Sequence, residues 1–443
     1  MQPIFPHHDA IAALLQTSLP ACRDGCARIE GCAPLEVVTG RRGKVFALAG
    51  AMVSAAGAAP TLRRFVIHAY PPGGGEEARK VFRRIRRMAR EQGTAGALSP
   101  WSFLLPERRW LVVPFPFDYR LPHLGQVCEP AVVSDGLRAV GVEADVAAIT
   151  PVRYVPEKRC QVRLEVSVAG AMRRVWFAKT MAAGNGAEVV RAMQRLHVHF
   201  AGSQIAGTPA PVAYLEPWQA VVQQGVPGET LYDLQRGGEV AAEVYRRTGA
   251  ALAELHRAPL PDLPIHGRSE ERSLLAAMLE KGVLAPSEQA RAAVLLDALD
   301  DTPAGVCEAG WGTSHRDFYD KQVLIDNGRL WIIDLDTLAH APRALDVGNF
   351  VAHLRLRTRQ GYLDGASERR ARLAFVGGYG ATCTDAGLAW WTASALVRLA
   401  VIYAVRPAWR HLASGLLRDA SAVLAGHDVF APDLASMADE VRA

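Results

Sequence analysis

A carboxylate, an amide and a second carboxylate follow one another at short spacing late in the chain. The sequence reads SHRDFYDKQ over 314–322 and IDLD over 333–336. Asp317 could take the proton of an attacking hydroxyl, while oxygens of Gln322 and Asp334 could bind Mg²⁺, which prefers hard oxygen ligands. Phosphoryl transfer needs such a base and metal site, because positioning and charge neutralisation supply most of its catalysis. The order base, amide, carboxylate, which kinases share, therefore predicts a magnesium-dependent phosphotransferase.

The apolar runs that follow this loop predict how the three groups come together. Residues 322–325 and 329–333 are short and apolar, and Asp326-Asn327-Gly328 lies between them. An Asn-Gly pair favours the tight turn of a β-hairpin, because the central residues of that turn have positive φ. We therefore expect the loop and the carboxylate beyond the hairpin to share one edge of a cleft.

The first half of the chain has the pattern of two α+β sections. In each section, two alternating apolar strands precede an amphipathic helix, and two short strands follow it. The first section comprises strands Lys44–Val53 and Leu62–Tyr70, helix Glu76–Gln92, and strands near Ser102–Leu105 and Trp110–Pro114. The second section comprises strands Val162–Val168 and Arg174–Thr180, a helix over 186–200, and strands near Ala213–Leu215 and Ala220–Gln223.

The two sections also match at a constant offset. Arg63-Arg64 stands 110 positions before Arg173-Arg174. We interpret this offset as a possible internal duplication; the alternative is that both sections are simply strand–helix–strand units. At the same offset Ala69 falls in the place of Lys179, so the first copy would be a degenerate cap that does not hold phosphates as the second does.

From residue 237 onward the sequence has helical periodicity, interrupted by strands only at the hairpin. The predicted helices are Glu239–Arg257, Ser269–Leu299, Leu345–Thr358, Glu368–Tyr379, Leu388–Val405 and Ala408–Val423. Trp390, Trp391, Tyr403 and Trp409 recur at roughly helical intervals, which favours core packing over a substrate platform.

The sequence resembles the aminoglycoside phosphotransferase-like kinase family over most of residues 150–425. VQQGVPGETL over 222–231 is similar to the family's hinge between two lobes, and AALAELH over 250–256 to its Leu-His helix ending. ALDVGN over 344–349 is similar to the segment after the metal-binding Asp, where the position of Asp346 supports the catalytic loop.

The resemblance implies how the nucleotide is held. Lys179, at the end of an alternating strand, stands where the family places a lysine on the phosphates of ATP. Glu188 is the only acidic residue between Lys179 and Glu216, so it is expected to form the ion pair that holds the lysine. Three hinge residues complete the expected nucleotide-binding set: Gln224, Gly225 and Val226.

Three features depart from the usual family pattern. Gln322 stands where the metal-binding amide is normally Asn, which adds one methylene but keeps the carbonyl oxygen. Arg316 stands where small-molecule kinases usually have Gly. Instead of a Gly-rich loop, the turn over 154–159 precedes the second strand, and its backbone N–H groups with Lys158 or Arg159 are expected to lie over the phosphates.

The fold class expected from the resemblance is α+β and two-lobed, like that of protein kinases. It comprises an N-terminal cap over 1–140, reminiscent of maltokinase-like members, an N-lobe of antiparallel sheet plus helix over 141–226, and a helical C-lobe with the catalytic hairpin over 227–443. The expected reaction is transfer from Mg·ATP to a hydroxyl of a small molecule, a sugar or sugar-containing natural product by analogy. The alternatives are a nucleotide-binding pseudokinase or scaffold and, less favoured, a protein kinase.

Composition narrows the remaining possibilities. Half of the 443 residues are apolar, the net charge is +5, and seven cysteines suggest no disulfide framework, which favours a cytoplasmic protein. The basic run 79–90 has the pattern of an amphipathic helix with a solvated face and no aromatic platform, so no nucleic-acid partner is expected. No apolar stretch of about 18 residues stands out, so no membrane span is expected. The sequence does not indicate an oligomeric state.

Overall fold

The structure is a computed structural model, and it describes the whole chain except residues 1–4, 6, 41–42, 56–57, 169–172, 183, 185, 261, 309, 381–384, 407 and 427–443. The chain divides into two compact units. Unit 1 comprises residues 1–187 and 212–225, and unit 2 comprises residues 188–211 and 226–443.

Unit 1 is built on two antiparallel sheets. Its strands are β1 Ala27–Cys32, β2 Glu36–Thr39, β3 Val45–Ala55, β4 Thr61–Ala69, β5 Phe103–Leu105, β6 Trp110–Pro114, β7 Ala144–Val155, β8 Arg159–Val168, β9 Arg174–Met181, and, after β10 of unit 2, β11 Pro211–Leu215 and β12 Ala220–Gln224. Its helices are α1 His8–Ser18, α2 Pro20–Arg23, α3 Gly75–Glu91, α4 Ala95–Leu98, α5 Leu124–Val127 and α6 Pro130–Ala139.

The two sheets of unit 1 share one topology. The first has the order β1-β3-β4-β6-β5, with β2 paired to β3, and the second has the order β7-β8-β9-β12-β11. In each sheet a short 3-10 turn, Pro106–Arg108 or Glu216–Trp218, precedes a residue with left-handed backbone, Arg109 (φ 54°) or Gln219 (φ 47°). These features lie 110 positions apart, so the shared topology supports the proposed duplication.

The strand register changes one detail of that comparison. Leu111 of β6 pairs with His68 of β4, whereas the corresponding Val221 of β12 pairs with Lys179 of β9. His68, and not Ala69, therefore occupies the place of Lys179. The prediction of Ala69 was wrong because the offset between β4 and β9 is one residue longer than the offset between β6 and β12.

The turn between β7 and β8 is held by charged groups of the first sheet region. Lys44 donates from Nζ to both carboxylate oxygens of Glu157, at 2.9 and 3.1 Å, and lies 3.2 Å from Glu77 of α3. Asp118 accepts the Glu157 backbone N–H at 2.7 Å and the Tyr154 hydroxyl at 2.8 Å. Lys44 and Asp118 are buried, so these charge-assisted bonds fix the turn against the first sheet region.

Unit 2 is mainly helical and contains two small sheets. Its helices are α7 Gly186–His199, α8 Leu231–Gly237, α9 Ala242–His256, α10 Arg268–Leu279, α11 Pro286–Asp301, α12 Ala304–Cys307, α13 Ala344–Arg359, α14 Gly365–Tyr379, α15 Asp385–Ala404 and α16 Leu412–Leu424; α7 begins two residues before the division. Its strands are β10 Ala206–Gly207, β13 Glu229–Thr230, β14 Trp311–Ser314, β15 Val323–Asp326, β16 Arg329–Ile332 and β17 Ala339–Pro342.

The strands of unit 2 form the sheets β10-β16-β15-β13 and β14-β17. Gly228 allows β13 to approach β15, because a Cβ at this residue would lie 2.5 Å from the Ile325 carbonyl oxygen and its φ is +110°. The predicted hairpin is present as β15 and β16, although three further pairings, β10 with β16, β13 with β15 and β14 with β17, were not predicted.

Two predictions about the helices need correction. The single helix over 269–299 is wrong: α10 ends at Leu279 and α11 begins at Pro286, because Gly282 has φ +58° and Pro286 can start but not continue a helix. By length and composition the window Gly387–Ala404 of α15 could span a membrane, contrary to expectation. Because 78% of that window is buried, α15 has the character of a core helix.

The aromatic residues predicted to be core are largely so. Trp390, Trp391 and Tyr403 are buried, whereas Trp409 is half-buried. The indole N–H of Trp390 donates to the Leu299 carbonyl at 2.9 Å, which satisfies its polar edge within the core.

Candidate active site

The predicted catalytic loop lies between β14 and β15, and the carboxylate beyond the hairpin follows β16. Strand β14 pairs with β17, and β15 pairs with β16, so both ends of the loop and both ends of the hairpin are fixed by sheet hydrogen bonds. Phe318, within the loop, is buried, and Asn349 of α13 donates to its carbonyl at 2.9 Å. The loop is thus anchored at both ends and at its centre.

Asp346, in the first turn of α13, holds the backbone of the loop. Its two carboxylate oxygens accept the N–H groups of His315 at 2.6 Å and of Arg316 at 2.7 Å. Arg316 has a left-handed backbone (φ 68°), a conformation that costs energy in a non-glycine residue and that these charge-assisted bonds stabilise. The supporting role expected of the Asp346 position therefore has a direct geometric basis.

His256 connects the same carboxylate to the end of α9. Its Nε2 lies 3.0 Å from Asp346 Oδ2, and its Nδ1 lies 2.7 Å from the hydroxyl of Tyr379. Burial lowers the pKa of His256, although the neighbouring Asp346 opposes that shift. The Leu-His helix ending noticed in the sequence thus supports the loop through Asp346.

His315 is buried and has a structural role. Its Nε2 lies 2.8 Å from the carbonyl oxygen of Ile333 and therefore donates to it. Its Nδ1 accepts the backbone N–H of Asp317 at 3.4 Å, and its own carbonyl accepts the Thr337 hydroxyl at 2.9 Å. His315 therefore links the loop to the segment beyond the hairpin and is not placed as the base.

The structure brings together the two predicted metal ligands. Gln322 Nε2 lies 3.3 Å from Asp334 Oδ2, although twelve positions separate the residues in sequence. The backbone N–H of Ile333 donates to the backbone carbonyl of Gln322 at 3.0 Å, which holds the two segments side by side. Asp334 has a left-handed backbone (φ 62°), a conformation that turns the chain just after β16. Asp317 is half-buried at the start of the same loop.

The predicted nucleotide-binding residues lie on several elements, and they do not all fall in one unit. Lys179 is half-buried on β9, whose opposite face carries the buried Trp176. Glu188 is in the first turn of α7 in unit 2, where its carboxylate lies 3.9 Å from Arg191. The predicted ion pair between Lys179 and Glu188 stays a prediction.

The predicted hinge begins at the end of β12. Gln224 pairs with Trp176 of β9, and the N–H of Gly225 donates to the Val175 carbonyl at 2.8 Å. A Cβ on Gly225 would lie 2.8 Å from that same oxygen, so the close approach of the backbones requires glycine here. Val226 is the first residue of the long C-terminal part of unit 2.

Sequence reasoning missed the partner of Asp320. The Arg357 guanidinium of α13 forms two hydrogen bonds to the Asp320 carboxylate, at 2.6 and 2.8 Å, with both side chains buried. The sequence had favoured a turn cap for Asp320. The one available signal was Arg357 itself, a cation within a helix whose other residues are largely buried.

One comparison with known proteins matches the part of the chain that contains this site. A family model described as the phosphotransferase enzyme family (APH) matches residues 165–380, just under half of the chain. A search of curated protein sequences finds no match. The matched segment contains the catalytic loop, the hairpin and the Asp334 carboxylate.

Several solved structures are similar at low identity. A choline/ethanolamine kinase family protein from Mesorhizobium loti is 13% identical over 63% of this chain and 88% of its own, with a TM-score of 0.43. A macrolide 2′-phosphotransferase from Brachybacterium faecium is 17% identical over 66% and 97%, with a TM-score of 0.42. A choline kinase from Cryptosporidium parvum is 10% identical over 62% and 88%, with a TM-score of 0.44.

These TM-scores are too low for the solved structures to carry an argument, so the assignment depends on the family match. That match covers the segment in which Asp346 holds the loop and Gln322 meets Asp334. Over residues 165–380 the chain matches the phosphotransferase enzyme family, and this match indicates a small-molecule phosphotransferase that acts on a hydroxyl group.

Proposed function

We propose that this phosphotransferase uses Mg·ATP and moves the γ-phosphate to a hydroxyl of a small molecule, with a sugar or sugar-containing natural product as the preferred acceptor class. The observation that carries the proposal is the 3.3 Å contact between Gln322, at the end of the loop that contains Asp317, and Asp334. Two oxygen-bearing side chains and a nearby carboxylate are the minimum set for this chemistry.

The donor set fits a magnesium ion. Gln322 offers a carbonyl oxygen and Asp334 a carboxylate, both hard ligands of the kind that Mg²⁺ binds together with phosphate oxygens and water. The amide of Gln322 could turn its carbonyl oxygen toward a cation by rotation about its terminal C–C bond, and metal coordination would then replace its hydrogen bond to Asp334. A bound Mg²⁺ would neutralise charge on the nucleotide phosphates.

The proposed role of Asp317 is to orient the acceptor hydroxyl and to take its proton as the new bond forms. The acceptor oxygen then bonds to the γ-phosphorus, the bond from that phosphorus to the bridging oxygen breaks, and ADP leaves with the electron pair. Asp346 and His315 would keep the loop in position, since they hold the backbone on either side of Arg316.

Lys179 would bind the nucleotide phosphates with Glu188 as its ion-pair partner, and the hinge residues would contact the base. The turn between β7 and β8 would lie over the phosphates, with Lys158 or Arg159 as its cation. The Lys44–Glu157 contacts support this role, because they hold that turn in one conformation before any ligand binds.

A screen of ATP consumption tests the proposal and the acceptor class together. Release of ADP would be measured with sugars, aminoglycosides and amino alcohols, using Asp317→Ala as the blank and Asp297→Asn, an exposed carboxylate of α11, as the matched control. We expect turnover with at least one hydroxyl acceptor, retained in Asp297→Asn and absent from the blank. Turnover no greater than the blank throughout, with Mg²⁺-dependent nucleotide binding retained, would favour the pseudokinase alternative.

A further inference from the structure

Cations and aromatic rings gather on the surface of unit 2 beside the catalytic loop. We call this set the basic aromatic patch, and it consists of Tyr232 and Arg236 of α8, Lys321 of the loop, and Tyr362 after α13. The Lys321 ammonium lies 3.9 Å from the centre of the Tyr232 ring. Lys321 directly precedes Gln322, so the patch adjoins the proposed metal ligand.

The rings hold the cations of the patch in place. Tyr232 and Tyr362 meet edge to face, with ring centres 5.9 Å apart. The Arg236 guanidinium lies 5.7 Å from the centre of each ring. Contacts of this kind are worth about 0.5–1 kcal/mol at exposed sites, enough to favour one orientation of a long side chain. The patch is therefore a pre-organised group of positive charges and not a set of freely moving ones.

A buried ion pair supports the patch from beneath. The Arg357 guanidinium lies 4.5 Å from the centre of the Tyr232 ring while it holds Asp320. The negative charge of Asp320 is therefore paired with Arg357. Asp233 of α8 accepts a hydrogen bond from the Thr230 hydroxyl at 2.6 Å, in the cap of that helix. Within the described part of the chain, no carboxylate forms an ion pair with Arg236.

A second observation shows that the inner side of the patch is rich in cations. His353 of α13 is buried, stacks on Tyr319 of the loop at 4.2 Å, and its Nδ1 has no hydrogen-bond partner among the described residues. Burial first, and then Arg357, Arg398, Lys321 and Arg406, lower the pKa of His353 well below its usual value. Arg357 is paired with Asp320 and Arg398 with Glu271, so the ring lies among cations on the inner side of the patch, two of which already have carboxylate partners.

We propose that the basic aromatic patch is the acceptor subsite of the enzyme, and that it selects acceptors with an anionic group such as a carboxylate or phosphate. The acceptor would place its anion between Lys321 and Arg236 and present a hydroxyl to Asp317, four residues before Lys321 in the same loop. A polycationic acceptor would be repelled by the same charges. This inference rests on the proposed function.

Three sugars with one ring scaffold and different charge test the proposal: glucuronate, glucose and glucosamine. Binding of each to the full chain would be measured by saturation-transfer NMR without nucleotide, and ADP release would be measured separately with Mg·ATP. We expect glucuronate to bind about five- to tenfold more tightly than glucosamine, because two exposed cations attract its carboxylate and repel an ammonium group.

The double variant Lys321→Glu/Arg236→Glu should reverse this preference toward glucosamine and leave the binding of glucose unchanged. Arg291→Glu, a charge reversal at an exposed position of α11, is the matched control and should leave all three affinities as they are. Thermal unfolding of each variant checks that the fold is kept, which is expected because Lys321, Arg236 and Arg291 are exposed.

The outcomes separate this inference from the proposed function. Equal binding of the three sugars, no binding of any, or an unchanged preference in the double variant would overturn the anionic subsite, whether or not ADP is released. A charge preference that the double variant reverses, without ADP release on any acceptor, would support the subsite and count against the proposed function.

Discussion

Gln322 is the residue whose chemistry differs most from the family pattern, and it gives a direct test of the metal site. Gln322→Ala should raise the Mg²⁺ concentration needed for half-maximal ADP release by about tenfold or more, because one oxygen ligand is lost. Gln322→Asn should raise it less, since the oxygen is kept but withdrawn by about 1.5 Å. A magnesium titration checks both; equal effects of the two substitutions would contradict coordination by this amide.

Asp346 supports the loop through both of its carboxylate oxygens, so its role is one of positioning. In Asp346→Asn the amide nitrogen cannot accept a hydrogen bond, and one of the N–H groups of His315 and Arg316 loses its partner. We expect kcat to fall while KM for the nucleotide changes little, with a loss of about 1–3 kcal/mol in the free energy of unfolding.

Steady-state kinetics and urea unfolding measure the two effects of Asp346→Asn separately. A purely structural role would lower stability without changing kcat in the protein that remains folded. Asp364→Asn, a helix cap of α14, is the matched control, because it also removes a carboxylate that accepts a backbone N–H but lies outside the loop.

At the residue scale, the site residues that lie close together in sequence could be predicted. Asp317, Gln322 and Asp334 could be selected because one hairpin joins them, and the structure does place Gln322 beside Asp334. The pairing of Asp320 with Arg357 could not be predicted, because the residues are 37 positions apart and a polar residue in a loop more often caps a turn.

At the scale of elements, the β7–β8 turn depends on a buried charge pair. Lys44→Met would leave the Glu157 carboxylate without its cation in a buried site, and breaking such a pair costs about 3–5 kcal/mol of stability. Glu157→Gln should cost less, and the double variant less than the sum of the two singles. Urea unfolding of the full chain provides the cycle.

Lys80→Met is the matched control for Lys44→Met, because Lys80 is an exposed lysine of the neighbouring helix α3. Its free energy of unfolding should stay within about 0.5 kcal/mol of the wild type. Additive effects of the Lys44 and Glu157 substitutions would show that the two residues do not stabilise the turn together.

Element prediction succeeded where periodicity was strong and failed where it was weak. Helix α3 and strand β6 match the predicted ranges within one residue, because their apolar positions recur at helical spacing or run continuously. The break between α10 and α11 was missed because apolar residues continue across it. Strand β7 was missed because most of its C-terminal half is partly exposed, so its sequence lacks clear alternation.

At the scale of the whole molecule, the two sheets of unit 1 differ in the residues that they place at positions corresponding in register. Lys179 and His68 correspond in register, and Glu188 and Glu77 are each two residues after the start of the helix that follows. Glu77 contacts Lys44 instead of a residue of β4. We propose that the first sheet is a duplicate that lost phosphate binding and now holds the β7–β8 turn.

We expect His68 to make the stability of the first sheet depend on pH. Burial first, and then the nearby Lys44, lower the pKa of His68 to about 3. The unfolded chain binds a proton below about pH 6.5 and the folded chain does not, so the stabilisation is complete above pH 6.5 and is lost as the pH falls toward 3. The slope from this one residue is about 1.4 kcal/mol per pH unit.

His68→Phe should remove that slope, since phenylalanine fills the space between Phe46 and Tyr70 without titrating. Urea unfolding at several values between pH 4 and 7 gives the free energy of unfolding of variant and wild type. The difference between the two proteins removes the contribution of the carboxylates that titrate in both. The same slope in both proteins would show that His68 is not the group responsible.

The overall architecture was predictable in part. Two sheet sections followed by a helical region were expected, and the structure contains all three. The boundaries between compact units were not, because the segment 188–211 belongs to unit 2 although it lies between strands of unit 1. The unit to which such a segment belongs depends on long-range packing, which the periodicity of a local segment does not encode.

The measurement that bears most directly on this account is ³¹P NMR of ATP incubated with the protein, Mg²⁺ and the acceptors of the screen. We predict that the γ-phosphate signal is replaced by that of a phosphomonoester on the acceptor, that chelation of Mg²⁺ stops the conversion, and that Asp317→Asn slows it by about 10²- to 10⁴-fold. Conversion at the wild-type rate in Asp317→Asn, or no phosphomonoester with any acceptor, would contradict it.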